Sequence, residues 1–168
     1  MTAKKIKRTT VAATVADSET RVNANDHDAL RLWLRLLACT NLIEGQVRSR
    51  LRVEFDTTLP RFDLMAQLER MPEGLKMGEL SKRMMVTGGN VTGITDQLVA
   101  EGLVVREDNP ADRRAYIVKL TAEGRRQFKR MAEPHEKWII ELLAGLGDAE
   151  KKQLFDLLAK MKKHAAIL

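Results

Sequence analysis

Arg113 and Arg114 stand side by side in a short charged segment, Glu107 to Ala115, that also carries Asn109-Pro110 and Asp112. β-prone runs flank the segment, so it reads as the tip of a hairpin. A guanidinium at such a tip suits the narrow, electronegative minor groove of a DNA duplex, which makes both arginines expected nucleic-acid contacts. Other chemistry is sparse. His27, His135 and His164 are far apart, and together with Cys39 they show no metal-ligand spacing. The chain has no HExxH, no phosphate-binding loop, no dinucleotide fingerprint and no GxSxG. The expectation is therefore a binding protein rather than an enzyme, with no cofactor and no metal.

Composition agrees with that reading. The 168 residues are enough for one ordinary domain with a real core. With 4% aromatic residues and 4 prolines, the profile favours helices. Twenty-nine Lys and Arg against 23 Asp and Glu leave a formal net charge of +6, which favours a polyanionic partner. The single cysteine rules out an intrachain disulfide, so a reducing, cytoplasmic setting is expected. No stretch approaches the roughly 20 apolar residues that span a bilayer, and no membrane partner is expected.

The elements that must position these groups follow from periodicity. Residues 1–25 are basic and rich in Thr and Ala without a sustained period, and are expected to form a disordered tail. From Ala29 to about Val53 apolar residues recur at spacings of three and four, on more than one face. A surface helix needs a single stripe, so this helix is expected to pack on its own subunit and on a second one. Pro60 opens a helix carrying Phe62, Leu64, Met65 and Leu68, which stops at Met71-Pro72-Glu73-Gly74. A short helix over 78–85 turns Leu80, Met84 and Met85 inward, and Val86 to Gly89 breaks it. The next helix, Asn90 to Ala100, buries Val91, Ile94, Thr95 and Leu98 and ends at Gly102. Strands at 103–106 and 116–120 follow. Thr121 then caps a helix that carries Phe128, Met131, His135, Trp138 and Leu142, and a last helix from Asp148 carries Leu154, Phe155, Leu158 and Met161.

Short helix, glycine-containing break, second helix and hairpin is the order of a winged helix-turn-helix. The predicted fold is mainly α with a small two- or three-stranded β-wing, joined to a helical dimerisation region. Residues 26–56 and 124–168 are assigned to dimerisation and 57–123 to a DNA-binding lobe. The stretch from Gly88 to Thr121 resembles the MarR family of regulators: Asp112, Arg114, Leu120 and Thr121 match its Asp-x-Arg, five residues, Leu-Thr signature. The likeness extends over about residues 28–165. It implies that Asn90 to Glu101 is the recognition helix, presenting Gly88, Gly89, Asn90, Thr92, Gly93, Asp96 and Gln97 to duplex DNA. It further implies that Arg106, Asp112, Arg113 and Arg114 act from the wing, with Asp112 orienting an arginine. A homodimer on a pseudo-palindromic operator, acting as a repressor, completes the expectation.

The resemblance also implies a small aromatic effector, either an acid, a phenol or an aromatic acyl-CoA. It would bind where the dimerisation helices meet the DNA-binding lobe, among Trp33, Asn41, Arg48, Met65, Leu68, His135 and Trp138. Two alternatives stand beside this reading. One is a redox response through Cys39, although a thiol among Leu36, Leu37, Ala38 and Leu42 reads as buried packing. The other is non-specific nucleic-acid binding, for which the aromatic stacking platforms are absent from the sequence.

Overall fold

The computed structural model describes residues 28–109 and 116–167. The expected basic tail therefore lies outside the described residues, as do Asp112, Arg113 and Arg114. Among the described residues, six helices and three strands run in the order α1 (Asp28–Phe55), α2 (Leu59–Glu69), β1 (Leu75–Lys76), α3 (Met77–Met84), α4 (Gly88–Ala100), β2 (Val104–Asp108), β3 (Tyr116–Leu120), α5 (Ala122–Leu142) and α6 (Asp148–Ala165). Two compact units divide within α1, one reaching Glu44 and the other starting at Gly45. No described helix is long and apolar enough to cross a membrane.

The second unit holds the winged helix-turn-helix. Its antiparallel sheet has the order β1-β3-β2, with Leu75 opposite Val118 and Val104 opposite Leu120. β1 is only two residues long, too short to carry a period, and so the sequence shows it merely as the approach to α3. Leu64, Leu68, Leu80, Val91, Leu98, Val104 and Val118 are all buried, and they join α2, α3, α4 and the sheet in one core.

Local signals set the ends of these helices. The Glu79 carboxylate accepts a hydrogen bond from the Lys76 backbone N–H at 3.0 Å and closes the start of α3. α4 ends in Gly102, whose φ of +70° lets the chain reverse while the Leu103 N–H returns to the Leu98 carbonyl at 2.9 Å. Thr121 caps α5 as expected, its Oγ1 accepting from the Gly124 N–H at 2.9 Å.

Two expectations are corrected. Met85 does not point inward: it is 88% exposed, because it takes the left-handed conformation that terminates α3 (φ 54°, ψ 37°). Cys39 is exposed rather than packed, since the first unit contains no described element besides the helix itself. The apolar residues of α6, assigned to dimerisation, are exposed: Phe155 is 72% exposed and Leu154, Leu157, Leu158 and Met161 are also open.

Candidate nucleic-acid interface

α4 packs on α3 and α2. Val91, Thr95 and Leu98 are buried on it and Ile94 is half-buried, the stripe that a 3.6-residue period predicts. Thr95 is the polar member of that stripe. Its hydroxyl donates to the Val91 carbonyl at 2.7 Å, so this donor is satisfied within the helix. Burying this side leaves Gly88, Gly89, Asn90, Thr92, Gly93, Asp96 and Gln97 exposed together, as expected. The helix begins at Gly88, two residues earlier than the sequence indicates, with Thr87 as its N-cap residue.

Two of the expected DNA contacts are engaged with one another. Asp96 on α4 holds Arg106 on β2 at 2.6 Å, with both side chains part-exposed. The carboxylate therefore faces the wing and fixes the outward helix to the sheet. On the neighbouring strands Lys119 Nζ lies 2.8 Å from Glu107 Oε2. That bond holds the lysine pKa above its usual value despite the cost of desolvation. Asp108 pairs opposite Tyr116, which brings together the two ends of the segment bearing Arg113 and Arg114. Lys76, Lys82 and Arg83, exposed around α3, supply further cations near the same lobe.

Other ties were not legible in the sequence. Arg61 on α2 makes a forked pair with Glu101 at the end of α4. Arg50 on α1 donates to Glu141 on α5 at 2.6 Å and lies over the Trp138 ring. The partners are separated by 40 and 91 residues, and no local pattern announces such distant pairs.

Residues 55–115 match the sequence model of the MarR family. A MarR family transcriptional regulator from Silicibacter pomeroyi shares 33% identity over 86% of this chain and 99% of its own, with a TM-score of 0.72. This chain belongs to the MarR family. YdgJ of Bacillus subtilis, an uncharacterized HTH-type transcriptional regulator, is 30% identical over 62% of this chain. The match spans 63% of YdgJ, so the chain covers just under two thirds of that relative. A mutant MarR from E. coli, in complex with operator DNA, shares the fold at a TM-score of 0.73 with 24% identity, over 83% of this chain and 99% of its own.

Within this MarR-family fold, the five residues expected around an effector that belong to the second unit, Arg48, Met65, Leu68, His135 and Trp138, do not line a single cavity. Leu68 and Trp138 are core residues at 2% and 7% exposure. His135 stacks on Phe62 with ring centroids 4.6 Å apart and meets Trp138 edge-on at 6.2 Å. Burial there lowers the His135 pKa. Arg48 borders a small hollow with Thr57, Thr58 and Pro60. Trp33 and Asn41 are exposed on the first half of α1. Met65 alone lines the larger cleft, about 640 Å³, together with Phe55, Arg61, Leu103, Gln127 and Arg130. Sequence reasoning missed the polar residues of this cleft, which come from four separate segments. Among the described residues no cluster of three His, Cys, Asp or Glu is placed to hold a metal.

Proposed function

We propose that this MarR-family DNA-binding transcriptional regulator works as a homodimer on a pseudo-palindromic operator, represses transcription there, and is released by a small aromatic acid, phenol or aromatic acyl-CoA. One observation carries the DNA-binding part: the outward side of α4 is exposed over its whole length and is tied to the wing strand through Asp96 and Arg106. That fixes an exposed helix beside the two strands whose connecting sequence carries Arg113 and Arg114, a pairing suited to a lobe that enters a major groove and reaches the adjacent minor groove. The E. coli relative crystallised with operator DNA supports the same use of the fold. Residues 57–123 form the DNA-binding lobe in this reading, and 26–56 with 124–168 form the dimerisation region. The uncovered apolar residues of α6 support that second assignment.

The effector reading rests on the cleft. A space of about 640 Å³ holds a single-ring acid; Arg61 and Arg130 on its wall stand beside Glu54, Asp56 and Glu101, so a bound carboxylate would take Arg61 from Glu101 or pair with Arg130. Such a ligand acts only through unequal affinity for the DNA-fitting and non-fitting forms of the dimer.

Footprinting on DNA upstream of genes neighbouring its own tests the proposal. A protected two-fold site overlapping a promoter, with transcription lowered in vitro by added protein, is the expected result. Protection spread evenly over every fragment would make the protein a non-specific coat instead. Titrating the complex with benzoates, phenols and their acyl-CoA esters should release the DNA, and retention against all three classes would overturn the effector claim.

A further inference from the structure

The exposed side of α4 has an unusual make-up for a helix that enters a groove. Gly88, Gly89, Asn90, Thr92, Gly93, Asp96 and Gln97 include no cation, and the one carboxylate is already engaged with Arg106. Arginine or lysine paired to guanine O6 and N7 is the commonest specific base contact, and this helix cannot make it. Only carboxamides and one threonine remain. Thr92 commits its hydroxyl proton to the Gly88 carbonyl at 3.0 Å. Among the described residues, neither the Asn90 nor the Gln97 carboxamide has a hydrogen-bond partner.

The glycines are equally informative. Glycine weakens a helix interior more than any residue but proline, so Gly93, within α4, calls for a reason, and Gly88 and Gly89 extend the bare surface into its first turn. Packing within the chain does not supply one. A Cβ built on Gly88, Gly89 or Gly93 meets nothing within 4 Å, and none of the three has a positive φ. The space is open on the outward side only. At 100° per residue, Gly89 and Gly93 lie opposite the buried stripe, Asn90 and Gln97 share one flank, and Thr92 and Asp96 share the other. A side-chain-free ridge of this kind lets the helix backbone settle deep in a groove and brings the flanking carboxamides to the base edges.

Resting on the reading of α4 as the recognition helix, we infer that its base specificity comes from Asn90 and Gln97, each directed at an A·T pair, at a close approach that Gly89 and Gly93 make room for. Asn and Gln pair in bidentate fashion with adenine N6 and N7. The two residues are two helical turns apart, about 10.5 Å. With a rise of about 3.4 Å per base pair, they address A·T pairs roughly three steps apart in each half-site.

Selection from a random duplex library by the full-length protein, repeated with Asn90→Ala and Gln97→Ala, tests this inference. The wild type should enrich two A·T pairs at that spacing in each half-site. Asn90→Ala should relax one position and Gln97→Ala the other, each with about a tenfold loss of affinity for the selected site. Gly93→Ala provides an independent arm. It should leave the melting temperature unchanged or raised, because its Cβ meets nothing in the chain, and should weaken operator binding several-fold. Enrichment of a sequence whose preferences neither alanine variant alters would overturn this inference and leave the recognition-helix reading standing. Failure of the wild type to enrich any sequence would overturn both. A Gly93→Ala protein that binds as tightly as wild type would overturn the close-approach claim.

Discussion

Thr121 fastens the start of α5 to the end of α4 with a single hydroxyl. Its Oγ1 accepts from the Gly124 N–H at 2.9 Å and lies 2.8 Å from the Gly102 carbonyl, to which it donates. Thr121→Ala removes these bonds, together with the longer contact to the Leu103 carbonyl at 3.2 Å, and should cost about 1–2 kcal/mol in urea unfolding. Gly124→Ala should cost more, about 3 kcal/mol, because a Cβ there would lie 2.0 Å from the Leu103 carbonyl oxygen, and backbone cannot rotate away. The reverse order of the two losses would show that the contact relaxes more easily than the geometry implies. His135 makes a pH prediction at the same scale. Burial lowers its folded pKa below the ordinary value near ~6.5, so in that window the unfolded chain binds more protons than the native one. The stability linked to His135 is therefore complete above about pH 6.5 and is lost as the pH falls through the lower folded value. His135→Phe keeps a ring against Phe62 and should flatten the melting temperature between about pH 7 and 5.5, above the carboxylate range. An unchanged slope in thermal melts across that window would rule His135 out as its source.

Among the elements, the joint between α4 and β2 matters most. Asp96 and Arg106 are 29–55% exposed along their side chains, so their pair contributes at most about 1 kcal/mol to stability. Its effect lies in orientation, because it commits Arg106 to the protein side of the interface. Asp96→Asn should leave the urea midpoint nearly unchanged and free the guanidinium for a phosphate. The logarithmic salt slope of DNA binding should then steepen by about one, as read by fluorescence anisotropy across a salt series. A slope equal to wild type would mean that Arg106 never reaches the backbone. The forked Arg61–Glu101 pair joins α2 to the end of α4 in a comparable way, on the wall of the cleft. An effector drawn to Arg61 would therefore compete for the guanidinium that anchors the recognition helix.

Across the whole molecule, the open question is what covers the apolar side chains of α6. Phe155, Leu157 and Met161 are 72%, 57% and 46% exposed, far more than a monomeric helix normally leaves to water. A second copy of the chain is the expected cover, and light scattering should read twice the 19.0 kDa mass of one chain. The double variant Phe155→Glu, Leu158→Glu should give the single mass. It should also lose most operator affinity, because one lobe alone cannot hold two half-sites, while circular dichroism stays helical. A variant that remains dimeric would locate the interface elsewhere.

Periodicity and caps made much of this protein legible from its residues alone. The order of helices and strands, the buried stripe Val91, Thr95 and Leu98, the cap at Thr121 and the turn at Gly102 all rest on interactions within a few positions. Such signals are written locally, so one chain read in order contains them. The exposure of Met85 is not legible in the sequence, because hydrophobicity says nothing about a residue forced into a left-handed turn. The β1 strand, the Asp96–Arg106 and Arg50–Glu141 pairs and the cleft beside Met65 were decided only by tertiary structure. Each requires segments that meet only when the chain closes on itself, and charge or hydrophobicity along a sequence does not specify which distant partner will be met.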